Sequence, residues 1–301
     1  MAPKDACFST KIDISLAKQI ERDLIEQGFT ITRPPYTLFA ASKKGVSCSF
    51  YESGSFTVQG KEKDDFIEFY LEPQILGKFQ YSHPTANLDL TPRIGLDEAG
   101  KGDFFGPLCV AAVFADGPGI QELCNMGVKD SKRFSDDAIA KLAKAIRNQY
   151  AHTVIRLFPH KYNELIGKFK NLNRLLAWTH VAALGDLSAK TGCKTAILDQ
   201  FADPSVVEQS LRQKKLEVNL TQRVRGEEDL VVAAASILAR SAFLSGLKEL
   251  GDEVQFTLPK GASAIVIAAG KELVAKEGEK ILDKVAKTHF KTMDSVLKNN
   301  H

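Results

Sequence analysis

Two adjacent acids, Asp97 and Glu98, end a short apolar run and open a glycine-rich turn in the stretch IGLDEAGKGDFFGPLCVAAVFAD, from Ile94 to Asp116. Neighbouring half-buried carboxylates repel each other. A divalent cation removes that repulsion, and hard cations such as Mg2+ take carboxylate oxygens. The competing reading is a polar turn with solvated acids, and on the pair alone the two stand level. Asp199 ends a second apolar run, TAILDQF, with Asp203 as its competitor four residues on. A third acidic group, Glu227-Glu228-Asp229, opens a helical pattern through Ala233-Ala-Ala-Ser236. Acids there also complement a helix dipole. Taken jointly, three acidic positions at element ends in one α/β domain can converge on a pair of cations. Two metals about 4 Å apart stabilise both the attacking and the leaving oxygen of a phosphodiester.

A nucleotide-binding loop is the rival for the same glycines. Gly95 to Lys101 satisfies GxxxxGK, but Gly102 stands where a Ser or Thr would hold Mg2+. An expected strand, not a helix, follows. The five cysteines (Cys7, Cys48, Cys109, Cys124, Cys193) are scattered without a CxxC pair. That pattern reads as reduced thiols in a cytoplasmic protein and argues against structural zinc.

These residues need elements to hold them. With 44% hydrophobic and 26% charged residues, the 301-residue chain is an ordinary globular protein of about two domains. No apolar run reaches the roughly 18 residues of a membrane helix, and the first residues lack a signal peptide's apolar stretch. The spacing predicts a helix over 12–28, strands split by turns over 29–61 and a helix from Glu62 to Leu76. A polar linker is expected over 81–92. Beyond it, strands at Arg93–Leu96, Leu108–Phe114, His152–Phe158, Thr195–Leu198 and Leu216–Thr221 alternate with helices at Ser135–Asn148, Asn173–Ala189 and Asp229–Leu250. Lysine-rich helices follow. This is an α/β pattern with a mixed sheet. The net charge is only +3, but residues 29–61 carry Arg33, Lys43, Lys44 and Lys61 against Glu52 alone. A basic sheet between acidic helices is a possible phosphate-facing surface.

The segments DEAGKGDFFGPL, KDSKRFSD, ILDQF, VVAAASILAR, LPKGAS and KTHF occur in this order. Together they resemble the type 2 ribonuclease H family, most closely its ribonuclease HIII branch, over essentially the whole chain. The GKG turn and the N-terminal extension favour HIII over HII. The resemblance implies a catalytic domain over 93–301 with the ribonuclease H fold, a mixed sheet flanked by helices. It implies a substrate-binding domain over 1–80 like half of a TATA-box-binding protein, an α+β curved antiparallel sheet with helices on one side.

The implied reaction is endonucleolytic hydrolysis of the RNA strand of RNA/DNA hybrids, leaving 5′-phosphate and 3′-hydroxyl ends, with two Mg2+ or Mn2+ ions. The implied ligands are Asp97, Glu98 and Asp199, with Glu227 as the fourth acid. Relatives usually carry that Glu at the position of Gly226, and Glu228 is the alternative. The backbone of Gly100, Lys101 and Gly102 is the implied ribose contact, because glycine lets a ribose approach. Ser131 and Lys132 are candidates for a backbone phosphate. Removing residues 1–80 is expected to weaken hybrid binding more than chemistry at saturation. No membrane is implied, and the default is a monomer. Two alternatives remain: HII-like cleavage at single ribonucleotides embedded in DNA, and a non-catalytic hybrid-binding relative. His289 in KTHF, like Trp178, Phe104 and Phe105, is expected to be structural.

Overall fold

The computed structural model describes residues 7–77, 88–128, 131 and 134–298. The chain forms two compact units, Met1–Leu88 and Asp89–His301. Residues 81–87 of the expected linker, and Lys132, lie outside the described residues.

The first unit contains β1 (Cys7–Lys11), α1 (Ala17–Glu26), β2 (Thr30–Thr32), β3 (Thr37–Lys43), β4 (Val46–Tyr51) and β5 (Ser55–Gln59). It closes with α2 (Lys63–Phe66), which widens into a π-helical stretch over Ile67–Leu76. The sheet order is β1-β5-β4-β3-β2, antiparallel throughout. Strand alternation puts Phe39, Ala41, Val46, Cys48, Phe50, Phe56 and Val58 on one face, where Ile20, Leu24, Ile67 and Leu71 from the helices join them. Both helices therefore cover the same side. The first helix starts later than the spacing suggests, because Asp13 caps a 3-10 turn over Ile14–Leu16. Strand β1 was not expected.

The other face corrects the charge reading. Its cross-strand rows run Ser9, Thr57, Ser49, Ala40, Thr32 and Cys7, Gln59, Ser47, Ser42, Thr30. Apart from Gln59, and from Lys11 at its end, whose ammonium donates to Ser53 O at 2.8 Å, it is a face of hydroxyls and small side chains. The basic residues of the 29–61 segment lie elsewhere: Arg33 pairs with Glu21 at 2.6 Å, Lys43 sits over the Phe29 ring, and Lys44 and Lys61 occupy turns.

The second unit runs β6 (Arg93–Ala99), β7 (Leu108–Ala115), α3 (Gly117–Asn125), α4 (Asp136–Gln149), β8 (His152–Leu157), α5 (Pro159–Phe169) and α6 (Leu172–Thr191). It continues with β9 (Thr195–Asp199), α7 (Pro204–Lys214), β10 (Asn219–Arg223), α8 (Leu230–Glu253), α9 (Ala264–Glu277), α10 (Ile281–Val285) and α11 (Lys291–Leu297). The sheet order is β10-β9-β6-β7-β8. It is mixed: β6 pairs antiparallel with β7 and parallel with β9. Helix α8 packs on one face, against Ala111, Val113 and Ala115. Helix α6 packs on the other, against Ile94, Leu96, Val110 and Ala112. Phe104 and Phe105 are fully buried, and Trp178 is half-buried against the α5–α6 core.

Helix α8 is long and apolar enough to cross a membrane, which the sequence reading did not register. Its apolar window is 72% buried in the protein, as befits a central core helix. The start of α8 is fixed by Asp229. Its Oδ1 accepts from the Val231 and Val232 amides, and its Oδ2 accepts from Arg93 Nε at 2.9 Å.

Candidate active site

Strand β6 extends through both acids, so Asp97 and Glu98 are strand residues and not the turn after it. Consecutive strand side chains point to opposite faces. Asp97 accordingly meets Ser236 on α8. Glu98 Oε2 instead lies 3.0 Å from Nε2 of His180 on α6. Strand β9 lies parallel to β6, which brings Asp199 beside the pair at the same strand ends. The Gly226 amide donates to Asp199 Oδ1 at 2.7 Å, and Glu227 follows it.

Asp97, Glu98, Asp199 and Glu227 all line one cavity of about 500 Å3, together with Gly100, Asp103, Ser131 and Ser236. Arg240 and Lys260 stand on its wall, and both are paired with Asp136, at 2.9 and 2.7 Å. A separate groove of about 720 Å3, along Leu247, Phe256 and Leu258, contains none of the four acids.

Electrostatics divides the adjacent acids. Burial first, then the charges of Glu98 and Asp199, raise the Asp97 carboxyl above the usual range, against hydrogen bonds from Ser236 and the Glu98 amide. Burial also works against ionised Glu98. The hydrogen bond and field of His180, and then Lys101, outweigh it and hold Glu98 below its ordinary value. Lys101 Nζ lies 3.6 Å from Glu98 Oε1 and 5.3 Å from the Phe201 ring centroid.

Among the described residues, no three His, Cys, Asp or Glu side chains are drawn together as a ready-made metal cage. The donor set nonetheless suits a hard cation. All four groups are carboxylates, and burial together with the neighbouring charges already shifts Asp97 toward protonation, which a divalent ion would reverse.

A family profile described as ribonuclease HII matches residues 94–293. A second, described as a domain of unknown function, matches 9–82. Ribonuclease HIII of Protochlamydia amoebophila is 54% identical over 96% of this chain and 96% of its own length. The chain belongs to the ribonuclease HIII family. Ribonuclease HIII of Chlamydia muridarum is 47% identical over 96% of this chain and 97% of its own. Among solved structures, Bst-RNase HIII in complex with Mn2+ matches with a TM-score of 0.68 and 29% identity, covering 97% of this chain and 98% of that one. Membership makes the protein a metal-dependent endoribonuclease acting on RNA/DNA hybrids.

The other candidates have definite places. A Cβ at Gly226 would lie 2.8 Å from Asp199 Cα, so a side chain there would have to push the strand end aside. Glu228 is exposed and faces Arg225 at 3.8 Å. Asp229 is absorbed by its cap and by Arg93. Asp203 caps α7. Gly100 adopts φ +85° with Pro107 O directly under it, whereas Gly102 has open space where a side chain would be. Ser131 is buried on the cavity wall, its hydroxyl 2.8 Å from that of Ser236. The P-loop reading fails on topology, since antiparallel β7 follows the turn where a phosphate-binding helix would begin. His289 packs against the Tyr162 ring.

Sequence reasoning missed His180, Asp103, Arg240 and Lys260. Asp103 Oδ1 accepts from the Gly261 amide at 2.6 Å, and the Phe104 amide donates to Gly261 O at 2.8 Å. LPKGAS was thus visible as a motif but not as a support of the GKG turn. His180 gave no signal, being one polar residue in a mainly buried helix.

Proposed function

We propose that the protein hydrolyses the RNA strand of RNA/DNA hybrids by a two-metal-ion reaction at the Asp97–Glu98–Asp199–Glu227 cavity, leaving 5′-phosphate and 3′-hydroxyl ends. The observation that carries this is the meeting of four carboxylates, from two parallel strand ends and the turn before α8, on one cavity. These four would hold two Mg2+ or Mn2+ ions. When bound, such ions supply charge stabilisation to both the attacking and the leaving oxygen of a phosphodiester.

The rest is work for the chain's own groups. Ser236, itself held by Ser131, hydrogen-bonds Asp97. Gly102 leaves its backbone open, and the Gly100–Lys101–Gly102 main chain is the contact for a ribose 2′-hydroxyl. Lys101 neutralises part of the acidic wall. Ser131, from the wall, and Lys132 next to it are assigned to the substrate backbone. The N-terminal domain is the hybrid-binding unit, through its uncovered hydroxyl-rich sheet face rather than through a basic one. Ser and Thr hydroxyls both donate and accept, so they suit phosphate and sugar oxygens.

The test is cleavage of labelled RNA/DNA, DNA/DNA, RNA/RNA and single-ribonucleotide duplexes in Mg2+, Mn2+ or EDTA, beside Asp97→Asn. Metal-dependent cutting of RNA/DNA, with 5′-phosphate products and loss in the variant, is the expected result. Cutting confined to the single-ribonucleotide duplex would replace this reading with the HII-like one. Binding without cutting in any metal would make the protein a non-catalytic relative.

A further inference from the structure

His180 is 1% exposed. Its Nε2 lies 3.0 Å from Glu98 Oε2. Its Nδ1 is buried and has no hydrogen-bond partner among the described residues. The ring lies nearly flat on Phe201, with centroids 5.2 Å apart and planes 16° apart. Phe201 in turn stands two residues beyond Asp199, and its ring also carries the Lys101 ammonium. A carboxylate only accepts, so the proton between the two groups belongs to Nε2. The Nε2–H is thus aimed at Glu98, and Phe201 sets the plane of the ring.

We propose that His180 is a positioning residue for Glu98, fixing Oε2 so that Oε1 is presented to the cavity as a metal ligand. Glu98 has three side-chain torsions, one more than an aspartate, and it needs an external restraint to offer one oxygen in one place. Hydrogen-bond partners behind metal ligands commonly have this task, and losing one typically costs ten- to a hundredfold in metal affinity. The inference rests on the reading of Glu98 as a metal ligand.

Mn2+ binding to the full-length protein without nucleic acid, measured by calorimetry, provides the test. His180→Phe keeps a flat ring and deletes the donor. It is expected to weaken Mn2+ binding by roughly ten- to a hundredfold and to raise the metal concentration for half-maximal cleavage in parallel. The KM for hybrid at saturating metal should stay unchanged. His180→Gln, whose amide can donate from a similar reach, is expected to recover most of the loss. Phe201→Leu removes the stacking surface, together with the ring under Lys101, and leaves the His180 donor in place; it is expected to weaken binding by a smaller factor. It also serves as the probe if His180→Phe does not fold.

Wild-type Mn2+ affinity in His180→Phe, or in Phe201→Leu where the first variant is unfolded, overturns the inference. So does a His180→Gln no better than His180→Phe. Glu98→Gln separates the two levels. If it binds Mn2+ as tightly as wild type, the ligand assignment itself is wrong. If it loses binding while His180→Phe does not, the positioning role alone is wrong.

Discussion

The Gly226 amide donates to Asp199 Oδ1 at 2.7 Å, and this bond ties the turn bearing Glu227 to the strand end bearing Asp199. One acid of the site is thereby placed by another. The same closeness forbids a side chain at residue 226. Gly226→Ala is expected to cost about 1–3 kcal/mol, as overpacking does, and to reduce kcat beyond what the loss of folded protein explains. Denaturant titration and cleavage rates on the same samples would check this. Wild-type stability and rate would contradict it.

Glu227 and Glu228 differ by one residue and should differ widely in effect. Glu227→Gln is expected to slow hybrid cleavage by about 100-fold or more, the scale of losing one charged stabiliser of a transition state. Glu228→Gln, on an exposed side chain facing Arg225, is expected to stay within about twofold, as weak surface pairs allow. Single-turnover cleavage of both variants decides between the two acids.

Asp229 should matter through folding. It is buried with Arg93, their charges 2.8 Å apart, and it also caps α8. Asp229→Ala removes the buried carboxylate partner of Arg93 and leaves it only the Asp89 side chain at 3.7 Å and the Asp89 and Thr91 carbonyls, a change that costs at most about 3–5 kcal/mol. Asp229→Asn keeps the cap acceptor and should cost less. Urea midpoints for the two variants would show the order.

The outer sheet face of the N-terminal domain should govern binding. Ser49→Asp with Thr57→Asp places two negative charges on neighbouring strands of that face. The expected result is a KM for hybrid raised about tenfold, more at low salt than at high salt, because the repulsion of phosphates is screened. At saturation kcat should be unchanged. An unaltered KM would remove this face from the substrate path.

Lys287 gives a pH signature. Burial lowers its ammonium to about 7, against the opposing charge of Asp103. Between about pH 7 and its ordinary value of 10.5 the unfolded chain binds a proton that the native chain does not. Stability therefore rises with pH through that window and is lost as pH falls toward 7. The limiting slope is about 1.4 kcal/mol per pH unit. Lys287→Met should lack this slope, so wild type should gain stability relative to the variant from pH 7 to 9 in denaturant titrations.

How much of this was legible depends on the range of each interaction. Asp97, Glu98 and Asp199 announce themselves because an apolar run that ends in an acid is a local pattern, and β6 and β9 follow the same hydrophobic rule. The order of the five catalytic-domain strands and of α4, α6 and α8 was legible for the same reason, with ends shifted by a few residues, whereas α3, α5 and α7 were not read. What was not legible lies in pairings across the chain. Arg93 reaches Asp229, 136 residues away. His180 reaches Glu98, 82 residues away. Neither leaves a trace in its own neighbourhood. The face of the small sheet was misjudged because charge was counted along the segment, whereas strand alternation and turns sent its cations off the outer face.

The GKG turn is strapped twice from far along the chain. Gly261 holds Asp103 and Phe104. The Val285–Lys287 segment bonds to Phe104 and Gly106 through its main chain, and the Lys287 ammonium reaches Gly106 O at 2.6 Å across 181 residues of sequence. Contacts that close so long a loop form late in folding, because chain entropy must be surrendered first. The turn that follows β6 is therefore among the last parts of the molecule to set. During synthesis the acids of β6 exist long before the straps do, so a growing chain carries these carboxylates before the turn beside them is fixed.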